Sequence, residues 1–483
     1  MKHLIVECIL LLLLPLPLLS NNIQVTGTQV KNFDPSSNTT TIIVDLKWEN
    51  AWRTDIGPAN WDAAWVFIKF RRPGGSWQHA TLISSENHDD AHIEILENAG
   101  AMVHHKAAFS GTAEFRGIHL IWDFVEDAVP IDEQVELSVF AIEMVYVPNN
   151  AFYVGHYRSG TGAFYANGTA NNPQPYQITS EDVLAINNGP GLDYTDGSGD
   201  KQGPLPADFP KGFAAFYCMK YEVSQEQWIE FFNTLTPTQR AARDITGPGG
   251  KNDDGVVHRN GISYTGGSQP ATTTLPNVPA AYISIQDGLA YLDWAGLRPM
   301  TELEYEKACR GPVLPVAEEF AWGTTEYFTT PYTLSDAGTA DEQTTNASEL
   351  LGNLSFNATD GNLDGPLRSG IFAASVNDKT REQTGGSYYG IMELSGNLWE
   401  RVVNVSTPEG RAFTGQHGDG ALATNGEANT LGWSVGNASA YGIRGGGWST
   451  FFHNECQTSD RVHIGQSFGR STDIGVPRGV RSL

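Results

Sequence analysis

Cysteine is scarce in this sequence: four in 483 residues. Cys8 lies in an N-terminal apolar run, which leaves Cys218, Cys309 and Cys456. Three thiols permit at most one intramolecular disulfide, with one thiol left over, and spacing alone does not choose the pair. Basic residues are also few. There are 30 Lys and Arg against 55 Asp and Glu, a formal net charge of -25, and no Lys/Arg cluster. That excludes a nucleic-acid partner and a polybasic membrane contact, and points to a surface able to attract divalent cations. After residue 20 no long apolar run occurs, so no transmembrane segment is expected.

The N-terminal run itself reads as a secretory signal over residues 1–20. Lys2 and His3 precede the apolar stretch Ile9–Leu19, which Pro15 and Pro17 interrupt, and Ser20 is a small residue at a cleavage position. Cys8 is too deep in this segment for a lipid anchor. The expected location is secreted, periplasmic or cell-surface, where disulfides are permitted. With 40% hydrophobic residues and 12 Trp a sizeable core is available, and 52 Gly with 25 Pro point to a loop-rich chain.

Residues 21–140 read as short strands between turns. Thr41–Trp48 alternates apolar and polar residues; Ala64–Phe70, Trp77–Ile83, His119–Phe124 and Val135–Phe140 follow. This predicts an antiparallel, immunoglobulin-like β-sandwich. Trp48, Trp52, Trp61, Trp65 and Trp77 are read as core, with a sugar-stacking face as the alternative. His88 and His92 have the i,i+4 spacing of a helical metal pair, but they lie between strands and read as solvated loop, as do His104 and His105. Residues 158–210 read as loop. In it Asp193, Asp196 and Asp200 surround Gly197 and Gly199 without EF-hand spacing, so they read as an acidic loop.

Order returns at the strand Phe213–Val223. Ser224 with Gln227, Ser284 with Asp287 and Thr301 with Glu304 are capping boxes that each open a helix. The last helix ends at Gly311-Pro312. Residues 244–272 and 323–388 read as loop. In Gly390–Glu400 two carboxylates flank a Ser-Gly-Asn turn, and Gly396 can adopt the left-handed backbone that curls carbonyls inward. Hard oxygen donors of this kind suit Ca2+; an ordinary strand-turn-strand corner is the alternative.

Several segments in order resemble the formylglycine-generating enzyme, or sulfatase-modifying factor, family. They are Met144-Val145-Tyr146-Val147-Pro148, Tyr221-Glu222-Val223-Ser224, Leu297-Arg298-Pro299-Met300-Thr301-Glu302 through Arg310-Gly311, Gly396-Asn397-Leu398-Trp399-Glu400, Arg444-Gly445-Gly446-Gly447-Trp448 and Gly479-Val480-Arg481. The resemblance covers residues 142–483. It implies an α+β, C-type-lectin-like domain with little regular secondary structure, preceded by the all-β sandwich of 21–140. It also implies structural calcium. One site would use Glu393 and Glu400 by side chain with Gly396 and Leu398 by carbonyl. A second would use Asn353, Leu354, Asp364 and Pro366.

Active members of that family oxidise a substrate cysteine with O2 and copper held by two cysteines five residues apart, and soft Cu(I) needs both thiolates. Thr450 and Glu455 stand at those two positions here, with Cys456 displaced by one as the remaining catalytic candidate. Copper is therefore not expected. By the same analogy Cys309 would pair with Cys456, with Cys218–Cys309 or free buried thiols as alternatives. The expected function is an exported, non-catalytic family member that binds a protein or glycan or forms part of a surface assembly. The alternatives are an oxidase with an altered metal site, and glycan binding by the N-terminal aromatics.

Overall fold

The computed structural model describes residues 23–158, 162–195, 199–247, 249–358, 363–466 and 468–483. The signal segment 1–20 with Cys8, and Asp196 and Gly197 of the acidic loop, lie outside the described residues.

The N-terminal part is built from β1 (Gln24–Asp34), β2 (Thr39–Arg53), β3 (Asp62–Arg71), β4 (Trp77–His79), β5 (Leu82–Ser85), β6 (Ala91–Leu96), β7 (Gly100–His105), β8 (Phe109–Asp123) and β9 (Glu136–Val147). Antiparallel pairing gives one sheet in the order β1-β2-β8-β5. β2 is half-buried in alternation: Ile42, Val44, Leu46 and Trp48 point inward while Ile43, Asp45 and Lys47 do not.

The second sheet runs through the whole molecule. Its order is Arg298–Pro299, Gly479–Ser482, Phe216–Met219, β9, β3, β7, β6, with β4 on β3. β9 pairs with β3 on one side and with Phe216–Met219 on the other. The 140/142 boundary read from the sequence therefore falls inside β9. β3 is buried on both faces, which is why it reads as a nearly continuous apolar run. Ala64, Val66, Ile68 and Phe70 face the first sheet and complete the sandwich core with Trp48, Phe115 and Leu120. Ala63, Trp65 and Phe67 face the opposite way, with Met102, Ile142 and Met144, onto helices of the C-terminal part.

Those helices are α1 (Gln225–Thr234), α2 (Pro237–Arg243), α3 (Ile285–Trp294) and α4 (Glu302–Arg310). Three of them, α1, α3 and α4, begin at the sequence-predicted caps, and α2 begins after a further capping box at Thr236. Ser224, Ser284 and Thr301 each form a complete capping box. Trp228 and Phe231 of α1 pack with Leu289, Leu292 and Trp294 of α3 against the central sheet. Polar side chains reinforce this junction. Trp65 Nε1 donates to the Ala295 carbonyl at 2.8 Å, and buried Lys69 Nζ donates to the carbonyls of Trp294 (2.7 Å) and Gly420 (2.6 Å). Lys220 Nζ reaches Asp62 at 3.0 Å and Glu143 at 3.1 Å. Among the described residues no helix is long and apolar enough to cross a membrane.

Two sequence expectations need correction here. His92 lies on β6, and His104 and His105 lie on β7, where the pairing of His92 with His104 buries the latter. Of the five tryptophans, Trp48 and Trp65 are fully buried, whereas Trp52, Trp61 and Trp77 remain partly exposed.

Candidate functional site

The loops that carry the candidate residues are held by α4. Its Glu302, Glu304 and Glu306 are all buried. Glu302 and Glu306, one turn apart, share one helix face. Arg444 bridges them, at 3.2 Å and 2.9 Å, and Arg461 adds bonds of 2.7 Å and 3.1 Å to Glu302. Glu304 takes a two-pronged contact from Arg298, at 2.9 Å and 2.6 Å. Arg310 closes on Glu306 at 3.1 Å and also binds Glu319. Glu306 further accepts from the Gly155 amide at 2.7 Å, and Glu302 from that of Val405 at 2.8 Å. Fork-shaped guanidinium groups suit this task because they satisfy several carboxylate oxygens at once.

Against this frame lies the stretch Gly390–Glu400. Gly396 has φ 86°, and a Cβ there would sit 2.6 Å from the Ser355 carbonyl, so glycine is required. Asn397 (φ 70°) stitches the turn to its surroundings: its Oδ1 accepts from Leu367 N at 2.8 Å and its Nδ2 donates to Glu222 Oε2 at 2.6 Å. The Leu398 amide donates to the other oxygen of Glu222, at 2.8 Å. Glu400 is paired with Arg478, whose Nε lies 2.8 Å from Oε1. Glu393 Oε1 accepts from Gly370 N at 2.7 Å, while its Oε2 is buried with no hydrogen-bond partner.

Three buried carboxylates, Glu222, Glu393 and Glu400, thus lie near one turn, and Arg478 is bonded to Glu400. Burial, then the charges of Glu393 and Glu400, push the Glu222 carboxyl well above its usual range. Burial raises Glu393 to about 7 despite the Gly370 amide, and raises Glu400 despite Arg478. Glu222 had no assigned role in the sequence reading. Its signal was its place in the Tyr221–Ser224 segment, which carries no mark of a distant turn.

The second calcium set is not gathered in this way. The Asn353 amide is spent locally: Oδ1 accepts from Tyr332 Oη (3.0 Å) and Ser348 N (2.9 Å), and Nδ2 donates to the carbonyls of Ser348 and Gln383. Asp364 is instead paired with His258 at 3.2 Å. Leu354 is buried beside Trp322, and Pro366 precedes the residue that Asn397 holds. In this structure the Asn353 amide is bonded locally and Asp364 pairs with His258.

At the positions of the expected thiols, Thr450 Oγ1 accepts from the Gly447 amide at 2.8 Å and Glu455 lies 3.6 Å from His463. Phe451 and Phe452 between them are 70% and 58% exposed. Cys456 points the other way, fully buried among Phe320, Trp322 and Leu354, and burial pushes its thiol up. A Cβ on Gly446 would lie 2.3 Å from its Sγ, so the glycine leaves room for the sulfur. The expected Cys309–Cys456 disulfide is absent: Cys218, Cys309 and Cys456 are free buried thiols. The reason is placement. Cys309 packs with Cys218, Tyr305 and Val480, in a cluster separate from that of Cys456. A two-thiolate copper site does not fit this donor set.

The α4 lattice makes a testable demand. Burial pushes the Glu306 carboxyl up, but Arg444 and Arg310 pull it further, to a net position below its ordinary 4.5. A depressed carboxyl contributes stability above its unfolded value that is lost as pH falls through the folded one. Denaturant unfolding should therefore show stability falling as pH drops below about 4.5, with a shallower fall in Glu306→Gln. At neutral pH Glu302→Ala should cost about 3–5 kcal/mol, because Arg444 and Arg461 lose a shared counter-charge. A cost under about 1 kcal/mol would show that the pairs are not a frame.

A family model for the sulfatase-modifying factor enzyme 1-like domain matches residues 169–482. No curated protein matches the chain. The matched span contains α1 to α4, the Gly390–Glu400 turn and the Thr450–Cys456 segment, and leaves the strands β1 to β9 outside it. The chain belongs to the sulfatase-modifying factor family, with an N-terminal β-sandwich joined to the family domain through one continuous sheet.

Proposed function

We propose that this protein is an exported, non-catalytic member of the family that works by binding, at a surface or in a surface assembly. The observation that carries the reading is the segment Thr450–Cys456. Where a copper oxidase needs two thiolates, this chain has a hydrogen-bonded Thr450 hydroxyl and the Glu455 carboxylate. The adjacent thiol of Cys456 is sealed in an apolar pocket. The same segment presents Phe451 and Phe452 to solvent, edge to face at 5.1 Å, which is the character of a contact surface. Export rests on the signal-like residues 1–20.

Calcium is part of this reading, as a structural ion. Glu393, Gly396, Leu398 and Glu400 would hold it, with Glu222 as a further neighbouring carboxylate. The unpartnered Oε2 of buried Glu393 and the excess of carboxylate over guanidinium charge favour a hard divalent cation there. When bound, the ion would neutralise these carboxylates and pin the turn.

The oxidase alternative is tested by supplying copper and O2 to the purified protein with a cysteine-containing peptide and following formylglycine by mass spectrometry. The expected result is no turnover. Multiple turnovers would overturn the non-catalytic reading. For calcium, chelation should lower the melting temperature and added Ca2+ should restore it, with a stabilisation of roughly 2.7 kcal/mol at a hundredfold excess over Kd. Glu393→Gln should remove most of that increment. An unchanged melting curve on chelation and re-addition contradicts the calcium site.

A further inference from the structure

The hairpin of β6 and β7 is the outer end of the central sheet, and β7 joins it through three paired positions on β3, from Ala64 with Val103 to Val66 with Ala101. Gly100 rests on the Trp65 ring: a Cβ there would lie 2.6 Å from it. A cavity borders each end of the hairpin. The strand ends, with His92, Glu94, His104 and Lys106, line one of about 300 Å³. The turn at 97–99, with His79 and His417, lines another of about 770 Å³. Packing is thin at both ends, so polar bonds must hold the hairpin there.

Imidazoles supply many of those bonds, although the chain has only 12 histidines. His79 Nε2 donates to the Ala99 carbonyl, and a Cβ on Gly420 would sit 2.2 Å from its Nδ1, which closes that side of the ring. His417 Nδ1 donates to Glu97 Oε2 at 2.9 Å, while its Nε2 accepts from the Ser482 amide at 2.9 Å. A second proton on His417 would break the Ser482 bond. His88 Nδ1 accepts from the Ala91 amide at 3.0 Å, where β6 begins. His104 is buried, with Arg53 Nη1 3.1 Å from its Nδ1 and the His92 ring 4.9 Å away. His105 stacks on Phe109 at 3.6 Å, and its Nε2 is buried without a hydrogen-bond partner.

The surroundings oppose a positive charge on these rings. Lys69, itself faced by Asp293 and Asp419, stands beside His79 with Arg481. Arg481 and Arg298 face His417, and Glu97 on its other side is already paired with Arg481 at 2.8 Å. Arg53, His92 and His105 face His104, and Asp90 faces His105. Glu94 is the carboxylate on the wall of the smaller cavity. Burial, ahead of these charges, lowers His104 to about 4, His79 well below its usual range, and His105 and His417 below it.

We propose that the β6–β7 hairpin is an acid-released strap: protonation of the histidines that hold it frees the hairpin from the sheet edge, opens the cavities at its ends and uncovers Trp65. The sign follows from linkage. An imidazole that the fold keeps neutral contributes its full stability above the ordinary histidine value near 6.5, and that stability is lost as pH falls from there towards the folded value. The loss begins before that of the α4 lattice, whose Glu306 weakens only below about 4.5. Between about pH 6.5 and 4.5 the hairpin therefore loosens while α4 holds. The release involves neither the Gly390–Glu400 turn nor the Thr450–Cys456 segment, so it stands apart from both metal readings.

Hydrogen–deuterium exchange of the full chain at pH 7 and pH 5, corrected for intrinsic rates, reads the two elements separately. Amides of β6 and β7 should lose about tenfold or more of their protection at pH 5, while those of α4 change by less than about twofold. His104→Gln cannot titrate at that position, so its loss between the two pH values should be at least about threefold smaller. That comparison is made within the variant and holds whatever its protection at pH 7. His79→Gln combined with His104→Gln should reduce the loss further, and retained α4 protection at pH 7 reports that either variant is folded. Equal pH dependence in the hairpin and in α4 would overturn the proposal. So would a hairpin loss in folded His104→Gln as large as in the unsubstituted chain.

Discussion

The buried pairing of the α4 glutamates with arginines from distant segments is the constraint on which the rest of the structure depends. Glu302, Glu304 and Glu306 have essentially no access to water. Leaving such carboxylates unpaired costs several kcal/mol each, so the chain must deliver Arg298, Arg310, Arg444 and Arg461 to them. Doing so fixes the start of the closing segment at Arg444, the segment after Cys456 at Arg461 and the loop at Gly155. A domain with few regular elements obtains a defined shape this way. A hydrophobic core alone tolerates repacking, whereas a lattice of charged, geometrically matched forks has one arrangement that satisfies all its members.

The second organising feature is the shared sheet. β3 cannot belong to the sandwich alone, since Trp65 and Phe67 bury themselves against α3 and its neighbours. β9 joins the two parts by pairing on both edges. Strands β3, β6, β7 and β9 are therefore continuous with a sheet that also carries strands of the family domain. The β6–β7 hairpin is the outer end of that sheet.

Much of this was legible in the residues. The helix starts at Gln225, Ile285 and Glu302 followed from local capping chemistry, which needs only four neighbouring residues. The alternation in Thr41–Trp48 located β2, and the ordered segments from Tyr221 to Arg481 pointed to the family whose model matches residues 169–482. The misses share a cause: each depended on contacts between residues far apart in the chain. Glu222 meets Asn397 across 175 positions. Cys309 and Cys456 were paired by analogy, but the fold places their thiols in different clusters. The polar surroundings of His104 suggest loop, because the partner that buries it, β6, cannot be assigned from polarity alone. Arg478, which neutralises Glu400, had no local pattern to distinguish it.

The proposed function predicts a hard cation at the Gly390–Glu400 turn and no copper at Thr450–Cys456. The carboxylate-rich turn favours a hard cation, and the closing segment lacks a pair of thiolates for a soft one. Metal content of the protein as purified tests both halves together. Calcium at about one equivalent with no copper above background is the predicted result. Stoichiometric copper, retained through purification and lost in Cys456→Ser, would contradict it.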